Sequence, residues 1–477
     1  MRTITMAWPA AVLALTALLT SPAAPAAAAA PAGRDFNGDG YNDLAVGTPA
    51  APGPNGTTGA ATILYGGPGG IGGHTVRRPA ADCKSDWNVP CRGWGTALAA
   101  GDLDGDSAAD LVLVGVYPKT QIDSWKSGSV KTTAYPYSGP GAVLGSGLSV
   151  GQFDGQPGAD VVGVDDSSGF EAGGGTYPAS RLTARLNGAD WTRNAFHDGW
   201  VRVRSMATGD VHGSGRSQMA VIISKYTADG QEEAPYLWLL DDLTRQPASV
   251  EDGLWAWGGL CTTANRDVLG CPKKDSRLAM GDVDGDGHLD VVMATPSSRG
   301  LQIWYGSAAG FSQFPGFSAH DIGWFDAGAM TGQDLAVGDV NGDGAAEIVL
   351  GAPKAASAGR ADAGAVVVVP GSKSSPRGPV LSAARIVTQD GMGSADPIGE
   401  QSQAGDLFGA SVRVLDVTGD GKAEVVVGAP AKNGGAGMLV VLRGSASGVS
   451  DAGAQVFHPG QFGLDSPQTA FGGILPL

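Results

Sequence analysis

An acidic stretch of nine residues, returning seven times, constrains this chain more than any other feature. Its clearest copy is Asp282-Val283-Asp284-Gly285-Asp286-Gly287-His288-Leu289-Asp290, followed at once by Val291-Val292-Met293-Ala294-Thr295-Pro296. Carboxylates stand at positions 1, 3, 5 and 9, and Gly at 6 serves a sharp turn. These are the first three-quarters of an EF-hand calcium loop, in which position 7 contributes its backbone carbonyl. No Glu stands at position 12 and no amphipathic helix follows. A short β-branched run follows instead, so the loop feeds a strand.

The other copies follow in order. The first is Asp35 to Asp43, with Asn37, Asp39 and Tyr41 at positions 3, 5 and 7. The second is Asp102 to Asp110, with Asp104, Asp106 and Ala108. The third, Gln152 to Asp160, and the fourth, Asp210 to Gln218, are worn. The sixth is Asp339 to Glu347, with Asn341, Asp343 and Ala345, and the seventh is Asp416 to Glu424, with Thr418, Asp420 and Lys422. Copies lie 50 to 77 residues apart, room for about four strands each.

Other elements keep phase with the loop. Aromatic-Gly steps precede it, as in Trp94-Gly95 and Phe408-Gly409. Strands ending in Gly turns follow it, as in Ile63-Leu64-Tyr65-Gly66 and Ile303-Trp304-Tyr305-Gly306. A unit this small cannot bury both faces of its sheet, so the units must pack on one another. Copy one lacks its aromatic-Gly strand, and the C-terminus has a spare one, Phe471-Gly472-Gly473-Ile474. Lending that strand to the first unit closes a ring and removes exposed edges. The predicted fold is all-β, a seven-bladed β-propeller closed by a C-terminal strand.

Aromatic-Gly strands, D-x-[DN]-x-D-G-x-x-[DE] loops and the Gly-Ala-Pro of 351–353 and 428–430 resemble FG-GAP repeats. Such repeats build the propeller of integrin α-subunits and occur in secreted bacterial proteins, including VCBS-repeat proteins. The resemblance runs from Asp35 to Ile474. It implies a propeller whose loops hold calcium and whose opposite face captures a ligand. Copies three and four depart from the pattern, and copy two has Ser107 where the family has Gly.

Residues 1–31 read as a secretory signal peptide: Arg2, an apolar stretch from Ala10 to Leu19, then an Ala run with cleavage choices between Ala24 and Ala32. The apolar core is shorter than the roughly 20 residues of a span. Residues 32–477 then form the propeller, expected to be secreted, extracellular, monomeric and without a membrane span. Cys83 with Cys91 and Cys261 with Cys271 read as two local disulfides.

The formal charge of -16 argues against a nucleic-acid partner. Its origin is local. Loops one, two, five, six and seven carry 17 carboxylates at ligand positions, and the remaining 30 acids balance 31 bases. Ordinary Asp-Gly turns would account for one such loop, but not for five in phase before strands. About five structural Ca2+ ions are therefore expected, with affinities of ~10⁻⁴–10⁻³ M suited to an extracellular module. Loops three and four are expected to hold none tightly.

No G-x-S-x-G elbow, H-E-x-x-H helix or P-loop occurs, and the six histidines lack metal-ligand spacing. The expected function is an extracellular binding or adhesion module for a protein or carbohydrate ligand. The alternative is a secreted hydrolase or lyase acting on carbohydrate or ester at the propeller axis. Fold alone does not separate them. Aromatics gather between loops (Tyr117, Trp125, Tyr135, Tyr137; Trp191, Phe196, Trp200; Trp255, Trp257; Trp324, Phe325), either as a binding rim or, the favoured reading, as interior anchors. The polar segment Val116 to Val130 is the candidate functional loop.

Overall fold

The computed structural model describes residues 34–80, 83, 91–115, 121–126, 129–134, 147–172, 175–186, 189–193, 200–227, 232, 235–244, 254–257, 271–311, 315–324, 327–330, 334–392, 398–464 and 466–476. Residues 1–33, where the signal peptide is expected, Cys261, most of the clustered aromatics and part of the 116–130 segment lie outside them or are described in backbone alone.

The described chain is all-β, and the strands within each sheet pair antiparallel. The first sheet has three strands, Leu44–Pro52, Thr58–Tyr65 and Gly73–Arg77. Six further sheets have four strands each, in simple sequence order. Sheet two spans 97–134, sheet three 148–193, sheet four 200–257, sheet five 277–319, sheet six 335–387 and sheet seven 411–457. Each is a meander of neighbouring strands, the shortest connections antiparallel pairing allows.

The strand after each acidic loop carries an uninterrupted apolar run instead of an alternating pattern. Asp110–Val114, Asp290–Thr295, Glu347–Ala352 and Glu424–Ala429 are buried at every residue. Both faces of these strands are therefore covered, which single-sheet amphipathicity cannot produce. The covering is reciprocal. Ala45 and Ile63 of sheet one pack with Leu98, Leu111 and Leu113 of sheet two. Val112 and Val114 pack with Leu148 and Val161 of sheet three. Val162 and Val164 meet Val203 and Val221 of sheet four, and Ala220 and Ile222 meet Val291 and Met293 of sheet five. Val292 and Ile303 meet Ile348 and Val367 of sheet six, and Val349 and Val366 meet Val425 and Val427 of sheet seven. One further core joins Leu44 and Val46 of sheet one to Val426, Leu439 and Val441 of sheet seven. Each buried Val or Leu contributes roughly 1.5–3 kcal/mol, so the sheets are held face to face by these shared cores.

Close approach explains the glycines that end the first strands. A Cβ on Gly281 would lie 2.3 Å from the Val337 side chain, and one on Gly338 would lie 2.5 Å from that of Val414. The seventh unit has Leu415 at this place, packed in the core between sheets seven and one.

The C-terminal segment lies beside the three-stranded sheet. Gly47 N–H donates to the Ile474 carbonyl at 2.9 Å, an antiparallel bridge. Phe471 forms a parallel bridge with Gly437, as Phe408 does with Gly364 and Trp94 with Gly59. The spare aromatic-Gly step thus occupies the same kind of position as its two counterparts. Arg413 ties the segment down, donating to the Leu475 carbonyl at 2.9 Å, to the Pro476 carbonyl and to Asp334 at 2.7 Å. Cys83 and Cys91 form a disulfide, and Cys271 is disulfide-bonded.

Candidate functional site: the acidic loops

Each acidic loop joins the first and second strands of its sheet, except in unit one, where the loop precedes the first of three. Position 9, the first residue of the following strand or its neighbour, is buried in all seven copies: Asp43, Asp110, Asp160, Gln218, Asp290, Glu347 and Glu424. Its side chain reaches back seven residues to accept the amide of position 2. The distances are 2.8 Å from Phe36, 2.9 Å from Leu103, 2.9 Å from Phe153 and 2.8 Å from Val211. They are 2.8 Å from Val283, 2.6 Å from Val340 and 3.0 Å from Val417. Position 2 is apolar in every copy, and its side chain anchors the loop in the core. Its recurrence in all seven copies is the sequence signal of this anchor, which ligand spacing alone does not pick out.

Positions 1 and 5 fold the tip. Asp35 accepts the amides of Gly38 and Gly40, both at 2.7 Å, and Asp282 those of Asp286 and Gly287 at 3.0 and 2.8 Å. Asp102, Asp339 and Asp416 repeat this. Position 5 accepts the amide of position 7: Asp39 from Tyr41, Asp106 from Ala108, Asp286 from His288, Asp343 from Ala345 and Asp420 from Lys422. These are local side-chain-to-backbone turns, which Asp forms readily. Position 6 has positive φ in the acidic loops: 90° at Gly40, 93° at Gly287 and 74° at Ser107. Only Ser107 bears the left-handed cost that Gly avoids.

The loops are also joined to one another. The amide of position 8 donates to the position 1 carbonyl of the preceding loop: Ala109 to Asp35, Ala159 to Asp102, Ser217 to Gln152, Ala346 to Asp282 and Ala423 to Asp339, at 2.5 to 2.8 Å. Between loops one and seven the donor is a side chain, Asn42 Nδ2 to the Asp416 carbonyl at 2.9 Å. Gly67 N–H adds a bond to the Val417 carbonyl at 2.9 Å. The turns after Thr58–Tyr65 and Gly300–Trp304 close over these joints. A Cβ at Gly306 would lie 2.2 Å from the Leu289 carbonyl, and one at Gly66 would lie 2.1 Å from that of Asn42, so neither turn admits a side chain.

Charge concentrates where the loops narrow. Carboxylate oxygens of Asp102, Asp104 and Asp110 lie within 4.8 Å of one another, as do those of Asp282, Asp284 and Asp290. Burial pushes Asp290 up to about 8, with Asp284 and Asp282 adding to the rise against two amide hydrogen bonds. Burial likewise raises Asp43, Glu347 and Glu424 to about 7, and lifts Asp282 and Asp284 above the usual carboxylate range. Asp284 is 7% exposed, and its Oδ1 has no hydrogen-bond partner among the described residues. The set of hard carboxylate oxygens, with one buried oxygen unsatisfied, fits a divalent cation of the calcium type. In loops one and six the position 3 amide spans the acids: Asn37 Nδ2 donates to Asp39 at 2.9 Å, and Asn341 Nδ2 to Asp343 at 3.1 Å and Glu347 at 2.8 Å. In loop seven Lys422 sits 3.2 Å from Asp420, while Thr418 offers a hydroxyl.

A second polar cluster lies at the other ends of the strands. Lys432, fully buried, meets Asp406 at 3.2 Å, Glu400 at 3.6 Å and the Gln401 carbonyl, and His458 meets Glu400 at 2.9 Å. A buried pair with this many partners fixes the connection between sheets six and seven. No local spacing pointed to it. Trp324 is half-buried in the core of sheets five and six, as an anchor.

Repeated four-stranded sheets joined through mutually bonded acidic loops define an all-β repeat protein. The sequence matches the FG-GAP-like repeat over residues 282–350 and the FG-GAP repeat over residues 26–64 and 408–442, so the chain carries FG-GAP repeats at these places. No curated protein matches it in sequence. Among solved structures it is similar to a lectin of Agrocybe aegerita that recognises non-reducing terminal N-acetylglucosamine (15% identity, 88% of this chain and 90% of that one, TM-score 0.45). It is also similar to a rhamnogalacturonan lyase of Bacillus licheniformis (17% identity, 73% and 66%, TM-score 0.35) and to AofleA from Arthrobotrys oligospora (10% identity, 76% and 85%, TM-score 0.37). Among the described residues no helix is long and apolar enough to cross a membrane.

Proposed function

We propose that the chain is a secreted seven-bladed β-propeller, closed between its first and last sheets. In this reading its acidic loops hold about five structural calcium ions, and it acts as an extracellular binding module for a protein or carbohydrate. The observation that carries the reading is the joint between units one and seven. There the Asn42–Asp416 bond and the Gly67–Val417 bond repeat the kind of contact that links successive loops elsewhere. A shared apolar core accompanies them.

The calcium sites would be Asp35, Asn37, Asp39, the Tyr41 carbonyl and Asp43 in loop one, with the corresponding residues in loops two, five, six and seven. An ion there would neutralise carboxylates that burial alone pushes towards protonation. The loop end of each blade would then be occupied by backbone and ion contacts. Ligand capture would fall to the opposite ends of the strands, among the connections that include 353–364, 388–392, 398–410 and 430–437.

Metal analysis with thermal unfolding in calcium and in EGTA tests the structural half. Bound calcium and a large loss of stability in EGTA are expected; no metal and no shift would overturn it. Glycan and protein arrays probed with the calcium-loaded chain test the other half. Binding should survive substitutions in the loop tips and fall with substitutions among the opposite connections.

A further inference from the structure

Loops three and four keep only part of the carboxylate set, Asp154 and Asp160 in the one and Asp210 in the other, and each contains a glutamine where the acidic loops have an acid. Gln152 stands at position 1 of loop three. Its Oε1 accepts the Gly155 amide at 2.8 Å, the turn bond that Asp supplies elsewhere. Its Nε2 donates to the Gly158 carbonyl at 2.9 Å and to the Gln156 carbonyl. Gln218 stands at position 9 of loop four. Its Oε1 accepts the Val211 amide at 2.8 Å, and its Nε2 donates to the Arg216 carbonyl at 2.8 Å. In both loops the N–H on one side and the carbonyl on the other fix which end of the amide is which.

Gly158 and Arg216 are the position 7 residues, whose carbonyls would be calcium ligands in an acidic loop. A carboxylate in either glutamine's place could accept the amide but could donate nothing to that carbonyl. We propose that Gln152 and Gln218 are amide surrogates for the ion: each supplies the positive end that calcium would supply, and closes its loop without metal. This rests on the calcium reading of the acidic loops.

Two further contacts are consistent with it. Loop three takes its left-handed turn at Gly158 (φ 90°), one residue later than the acidic loops, because Pro157 occupies position 6. Arg216 adds a fixed cation at loop four, donating to Asp242 at 3.1 Å and to the Phe153 carbonyl of loop three at 2.9 Å. The two metal-free loops therefore support each other.

Hydrogen exchange of the mature chain, read by mass spectrometry in calcium and in EGTA, tests the proposal without a variant. Segments 102–110 and 282–290 should exchange at least about tenfold faster in EGTA, while 152–160 and 210–218 change little. A calcium response in the latter pair equal to that of the former overturns it. In EGTA, Gln152→Glu and Gln218→Glu should each raise exchange in their own loop about tenfold, the effect of one part-buried carbonyl losing its donor. Unchanged exchange in both variants overturns it as well. Because the variants are read without metal, they separate a failure of the amide role from a failure of the calcium reading, which shows instead as no calcium response in segments 102–110 and 282–290.

Discussion

Loops four and five are neighbours in the chain and solve the same problem with opposite chemistry. Both must carry a first strand into a second, bury a position 9 side chain, and satisfy the position 2 amide, here from Val211 and Val283. Loop five does so with Asp282, Asp284, Asp286 and Asp290, and its buried acid is pushed up to about 8. Loop four does so with neutral Gln218, Ser214 in place of an acid, and Arg216 and His212 paired to Asp242 and Asp241. The comparison teaches that the backbone path does not require a metal. On the calcium reading, what calls for an ion is several carboxylates converging in one loop, as Asp282, Asp284 and Asp290 do, since ionised groups in a poor dielectric need an opposite charge or a proton.

Withdrawing calcium should have the largest effect. Loops one, two, five, six and seven lose their counter-charge together, and the Tm in EGTA should fall by tens of degrees, as differential scanning calorimetry would record. Next comes Asp290→Ala. It strands the amides of Val283 and Gly306, both of which donate to this one side chain. A loss of about 3 kcal/mol is expected from urea unfolding in saturating calcium. The corresponding change in loop four, Gln218→Ala, should cost less in calcium and the same with or without it.

Glu347→Gln sharpens the comparison by making loop six resemble loop four. In calcium the variant should lose one ion and unfold earlier than the parent. In EGTA it should be at least as stable, because a neutral amide replaces a carboxylate that burial disfavours. If E347Q is destabilised equally in both conditions, the acid's charge is not what matters at that site.

The comparison also has a pH dependence. Asp43, Asp290, Glu347 and Glu424 hold their protons to about 7, 8, 7 and 7 in the folded chain. Unfolded carboxylates release theirs near 4. The folded state therefore binds more protons between about pH 4 and pH 8, and metal-free stability should fall as pH rises through that window. With calcium the ion displaces those protons, so its affinity should rise over the same interval. Urea midpoints at several pH values, with and without EGTA, read both slopes.

Much of this was legible in the sequence because it repeats. Carboxylates at fixed spacing before β-branched runs marked seven loops and seven sheets, and the spare Phe471-Gly472 step marked where the end of the chain would lie. Cys83 and Cys91, eight residues apart, were readable as a pair. What stayed hidden depends on partners far apart in the chain. The Asn42 bond to Asp416 spans 374 residues, and the Lys432 and Arg413 pairs span 26 and 79. No period announces such contacts. The glutamines were hidden for a different reason. They looked like decay of the acidic pattern, and only the direction of their amide bonds gives them a role.

On the calcium reading, the loops divide by side-chain chemistry into those that take an ion and those that use an amide in its place. Native mass spectrometry of the mature chain, with calcium quantified by elemental analysis, tests it most directly. About five tightly held ions are predicted, following the acidic loops alone. Seven would contradict the division, and none would contradict the role given to the carboxylates.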